Sequence, residues 1–201
     1  MQEPARFILM FLVLPLWVAV GFADWACHRR TAIALTSGLK ENLLHWLMFF
    51  ELGVGIAAVA LLEINAAVLL IVLAVFLLHQ LTVYWDLHYS TLLRDVGPFE
   101  QMVHSFMEIL PLLSLALLAL LAWPQALALV GLGEVPADWS LRLKQEPLPP
   151  EYLQAAGLLV VAFNVIPLLQ ETWSCAWARP PARVRARDAA TARTPENPEP
   201  R

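Results

Sequence analysis

The chain has 201 residues, of which 59% are hydrophobic and only 15% charged, and its mean hydropathy is +0.63. Soluble domains carry about 25% charged residues, so this composition excludes an ordinary soluble fold and points to an integral membrane protein. The formal net charge of -4 conceals no basic patch with interleaved aromatics, which argues against a nucleic-acid partner. Two cysteines, Cys27 and Cys175, are too few for a disulfide framework and lack redox or zinc spacing.

Five apolar segments are predicted to span, at about 7–23, 43–62, 66–85, 101–122 and 154–173. Together they make residues 1–178 one all-α transmembrane domain. The first segment is followed, not preceded, by His28, Arg29 and Arg30. That is the reverse of a signal peptide, so it reads as a retained span rather than one cleaved near Ala23. Ser37-Gly38 breaks the chain before the second span, and Glu63-Ile64-Asn65 makes a tight connection to the third. A loop around Arg94, Gly97 and Pro98 leads to the fourth span, where Pro111 predicts a bend or local unwinding. A Pro-containing loop from Pro124 to Glu151 precedes the fifth span, with Trp173 and Trp177 as interfacial anchors. The tail 179–201 is rich in Pro, Ala, Arg and Glu and is predicted to be disordered.

Lys and Arg set the expected orientation. Arg29, Arg30, Lys40, Arg94 and six tail arginines fall on one side, against Arg6, Arg142 and Lys144 on the other. The positive-inside rule places the first group in the cytoplasm, with the N-terminus outside and the C-terminus inside, as in a bacterial inner membrane.

The two cytoplasmic turns repeat each other. The first reads Trp25-x-x-His28-x-x-Thr31, then Gly38-x-x-Glu41-x-x-x-His45. The second reads Trp85-x-x-His88-x-x-Thr91, then Gly97-x-x-Glu100-x-x-x-His104. This predicts a duplicated two-helix hairpin, with spans one to four forming an antiparallel four-helix bundle. Such packing brings His28, His45, His88 and His104 to one depth. Glu41 and Glu100 each lie four residues before a histidine, so each pair can share a helix face.

Ionisable side chains at membrane depth are costly unless paired, hydrated or metal-bound. The expected metal set is therefore His28, Glu41, His45, His88, Glu100 and His104, with Asp24 and Asp86 behind them. Asp24 can share a face with His28. Asp86 lies two residues before His88, nearly opposite on a straight helix, yet seven after His79, so the choice between Asp86 and His88 stays open here. Glu51, His79 and Glu108 are expected to form a deeper layer of outer partners or ligands. Arg94 is a candidate contact for an anionic head group.

The pattern resembles the di-iron carboxylate plan of ferritin-like bundles, in which facing helices contribute Glu and Glu-x-x-His ligands. Here the Glu-to-His spacing is four, two acids are Asp, and the setting is a membrane. Imidazole mixed with carboxylate and no thiolate suits iron first, with manganese, zinc or copper as alternatives. The expectation is thus a two-metal oxidoreductase acting on a lipid-soluble substrate, with electrons from a cytoplasmic donor, since no NAD or flavin fingerprint is present. A metal transporter or chaperone, a haem or quinone protein, and a non-catalytic accessory subunit are the competing readings.

Overall fold

The computed structural model describes residues 2–178; the tail 179–201, with its expected disorder and six arginines, lies outside them. All five expected spans form helices: span 1 (Glu3–Arg30), span 2 (Leu39–Leu61), span 3 (Ala66–Thr91), span 4 (Pro98–Leu121) and span 5 (Pro150–Trp177). Each has the length and apolarity to cross a membrane, and the whole is an all-α bundle consistent with an integral membrane protein. Large apolar side chains such as Phe50, Leu81, Ile109 and Leu158 point outward. Such exposure in water would be an aggregation hazard, but it is the expected surface toward lipid.

The bundle takes in the fifth span as well as the first four. Span 1 packs on spans 4 and 5, span 2 on spans 3 and 5, and span 3 on span 4. Span 5 therefore meets both spans 1 and 2. Trp46 on span 2 donates its Nε1–H to Thr172 Oγ1 at 2.8 Å. On the other side Tyr152 donates to the Met10 carbonyl at 3.1 Å, and Asn164 Nδ2 donates to the Val18 carbonyl at 3.2 Å.

The connections fix where the spans begin. Span 1 ends at Arg30, and the chain turns through Ala32, whose φ of 53° lies in the left-handed region. Gly38, at φ 69°, then opens span 2; a side chain there would be strained. Tyr89 of span 3 donates its hydroxyl to the Ser37 carbonyl at 3.1 Å and ties this turn to the neighbouring hairpin. At the opposite end Asn65 caps span 3 by accepting from Val68 N–H at 3.1 Å. The loop after span 4 crosses that turn through Glu63 N–H to Arg142 O and Lys144 N–H to Leu61 O, each 2.9 Å.

Pro111 does not unwind span 4, which stays helical from Pro98 to Leu121. The responses to proline occur elsewhere. Leu9–Val13 in span 1 and Val161–Val165 in span 5 are π-helical turns, each two residues ahead of a proline, Pro15 and Pro167. Proline lacks an N–H and crowds the carbonyl four residues back, and a widened turn relieves both.

Candidate metal centre

The ends of spans 1 to 4 that flank the 31–38 and 92–97 connections converge, and span 5 brings a fifth carboxylate. Span 1 contributes Asp24 and His28, one turn apart on the same face. Span 2 contributes Glu41 and His45 by the same spacing, span 3 Asp86, span 4 Glu100 and His104, and span 5 Glu171. All are buried except His45 and His104, which are partly so.

These side chains form overlapping groups whose ligand-type atoms lie within 4.8 Å of one another: Asp24, His28, Glu100 and His104; Glu41, His45 and Asp86; and His28, His45 and Glu171. The last group organises the other two. The His28 and His45 rings stack with centroids 4.5 Å apart and planes 9° from parallel. Glu171 receives His28 Nδ1 on Oε2 at 3.0 Å and His45 Nδ1 on Oε1 at 3.3 Å. Asn42 Nδ2 donates to the same Oε1 at 2.9 Å and holds the carboxylate in place.

A neutral imidazole that donates to Glu171 through Nδ1 would keep its lone pair on Nε2. His28 Nε2 lies 3.5 Å from Asp24 Oδ2 and 3.7 Å from Glu100 Oε1. His45 Nε2 lies 3.6 Å from Asp86 Oδ1 and 4.0 Å from Glu41 Oε1. His28 Nε2 and Asp86 Oδ1 are buried without a hydrogen bond. Donors 2.0–2.2 Å from a common centre stand roughly 3–4 Å apart, so this spacing fits a cation better than direct hydrogen bonds. His104 Nε2 stays within hydrogen-bond reach of Asp24 Oδ1, at 3.0 Å.

Arg94 occupies the centre between the two hairpins. Its Nη2 lies 2.6 Å from both Glu41 Oε1 and Glu100 Oε1. Burial alone would lower its pKa, but these two carboxylates outweigh that and hold it above the ordinary arginine value. It is therefore an internal counter-charge to the acids and not a head-group contact. Counted as ionised, Asp24, Glu41, Asp86, Glu100 and Glu171 are five negative charges against one guanidinium. The remaining formal charge of -4 is what two divalent cations would cancel.

The repeat holds at Glu41 and Glu100 and at His45 and His104, but not at His88. The inward stripe of span 3 is His79, Thr82, Asp86 and Tyr89, at helical spacing. His88 falls between Asp86 and Tyr89 and off that stripe; it is exposed and stacks on Tyr84 with ring centroids 6.3 Å apart. Asp86 takes the place expected of His88. Glu108 joins His88 and His104 along an open cleft between spans 3 and 4 and belongs to none of the three groups. Glu51 and His79 form a separate buried pair on spans 2 and 3, with His79 Nδ1 3.5 Å from Glu51 Oε2.

Glu171 and Asn42 were not among the expected site residues. Glu171 did carry a signal: it is the sole charged residue between Tyr152 and Trp177. A lone carboxylate within a span reads by default as functional.

An apolar cavity of about 390 Å³ reaches this cluster between spans 1, 2 and 5. Asp24, His28, His45 and Glu171 line it along with Trp17, Phe49 and Leu168. A further cavity of about 200 Å³, lined by Leu9, Val59, Val72 and Leu118, continues toward the opposite end and shares Leu14, Trp17, Leu52 and Ile56 with the first. Comparison with protein-family profiles, with curated proteins and with solved structures finds no match for this chain.

Proposed function

We propose that the protein is a membrane-embedded two-metal oxidoreductase, iron being the preferred metal, that acts on a lipid-soluble substrate held in the apolar cavity. The observation that carries this reading is the pair of stacked imidazoles anchored through Nδ1 on Glu171, with each Nε2 turned to two carboxylates beyond hydrogen-bond distance. A carboxylate on the far nitrogen is the usual support of a metal-bound histidine, fixing tautomer and ring orientation. His28, Asp24, Glu100 and His104 would hold one ion; His45, Glu41 and Asp86 would hold the other. Two redox-active ions would supply electron-transfer and Lewis-acid chemistry beside the cavity. In this reading the cluster lies at the cytoplasmic end, where a soluble electron donor has access.

A metal transporter would need polar groups continuing across the membrane. The cavity instead becomes almost wholly apolar toward the opposite end, with Leu9, Val13, Val59 and Leu118 and no ionisable side chain but Tyr152. Arg94 favours a different second reading, a metal-free proton-exchange network in which the guanidinium and protonated imidazoles balance the acids. Elemental analysis of protein purified from iron-replete cells separates the two. About two metal ions per chain, mostly iron, is the expected result. Full occupancy by another metal would end the iron assignment, and a metal-free chain that resists loading would favour the proton network.

A further inference from the structure

The cavity wall carries polar groups that the metal cluster does not use: the Asn164 amide, which donates to Val18, the Trp25 indole, and His79. His79 lies midway along span 3, 13 residues from Ala66 and 12 from Thr91, and lines the larger cavity. It is 3% exposed, and its Nδ1 makes no hydrogen bond. Glu51 Oε2, 3.5 Å away, is likewise buried and without a hydrogen bond, while Thr82 donates its hydroxyl to Glu51 Oε1 at 2.7 Å. Thr82 thus orients the carboxyl group and Glu51 backs the imidazole. Polar groups left unmatched at this depth are expensive.

A ligand that satisfies His79 here must have a neutral head. A fatty-acid carboxylate would be brought close to the bilayer centre, where charge is strongly disfavoured. The surroundings suit a flat ring, since Trp17, Trp25, Phe49, Met48 and Met107 line the same cavity. Below the head, the second cavity, which shares Leu14, Trp17, Leu52 and Ile56 with the first, reaches Val72 of span 3, roughly 10 Å along the helix axis from His79 at 1.5 Å per residue, and its wall is almost wholly apolar. That extension has the form needed for a single hydrocarbon tail.

We infer that the cavity binds a quinone-class lipid, its ring carbonyl or hydroxyl hydrogen-bonded to His79 with Glu51 behind, and its tail in the apolar extension. This deepens the proposed function by naming its substrate class, and it rests on that reading only for the ligand's role as substrate.

The test is a tryptophan-fluorescence titration of the detergent-solubilised full chain with a decyl-chain benzoquinone, with metal content measured in parallel. Trp17 and Trp25 line the cavity, so binding should quench saturably in both metal-loaded and chelator-treated protein. Saturable binding by a chain that takes up no metal would sink the metal assignment and leave this inference standing. His79→Leu should weaken binding about tenfold, the worth of one good hydrogen bond, without changing metal content, and His79→Gln should recover part of the loss. Gly53 lines the cavity, and a Cβ added there meets nothing within 4 Å; Gly53→Leu should therefore fill the space and abolish binding in a chain that still folds. Equal affinity in either Leu variant, or equally strong displacement of the quinone by oleic acid, would overturn the inference.

Discussion

Arg94 faces Glu41 and Glu100 with no water-exposed alternative for any of the three. Removing one partner of a buried ion pair strands the other, at a cost of about 3–5 kcal/mol. Arg94→Met should lower thermal stability in detergent by an amount of that order, and added divalent metal should restore more of it than in the parent chain. Glu171→Ala should weaken metal retention about 10–100-fold, the usual effect of losing a carboxylate behind a ligating histidine, as measured by competition with a chelator. Asp86→Ala should empty one of the two positions, while His88→Ala should leave metal content unchanged. Equal loss in the last two would mean that His88 turns inward. Much of this scale was legible in the sequence: the spacing of Asp24 and His28, and of both Glu-x-x-x-His pairs, already placed those side chains on single faces. The choice between Asp86 and His88 was not legible, because it depends on which stripe of span 3 faces the core, and His79 and Thr82 decide that through packing.

At the scale of helices, the hairpin repeat was readable because the same residue types recur at the same spacing in both turns, whereas the part played by span 5 was not. Nothing local tells a helix which neighbours it will meet, and Glu171 acquires its role only because span 5 packs on both span 1 and span 2. Gly21 permits that approach: a Cβ there would lie 2.5 Å from Asn164 Nδ2, the group that donates to Val18. Gly21→Leu should push span 5 away, draw Glu171 back from the imidazoles and reduce metal loading. Gly157→Ala, with open space around the added atom, should not. Similar loading in the two variants, with both chains folded, would show that the position of span 5 does not control the cluster.

For the molecule as a whole, five spans followed from apolar length alone, while the cavity could not be read from the sequence because its walls come from residues far apart in the chain. The orientation drawn from Lys and Arg has a direct check. Asp95 and Glu134 are exposed in connections at opposite ends of the bundle. In a background lacking Cys27 and Cys175, a membrane-impermeant thiol reagent applied to whole cells should label Glu134→Cys and spare Asp95→Cys. The reverse pattern would put the cluster outside.

The widened turns near Pro15 and Pro167 bear on how the proposed lipid ligand would reach the cavity. Met10 and Asn164 lie in those turns, and their bonds to Tyr152 and Val18 join spans 1 and 5 beside the cavity. A five-residue-spaced backbone bond has slack that a regular helix lacks, so this seam can part and reclose while Glu41, Asp86 and Glu100 on spans 2, 3 and 4 stay in register. Hydrogen–deuterium exchange should therefore run faster at Leu9–Val13 and Val161–Val165 than along the middle of span 3. Traffic would then pass sideways, straight from the hydrocarbon layer, with no need for an opening at either aqueous face.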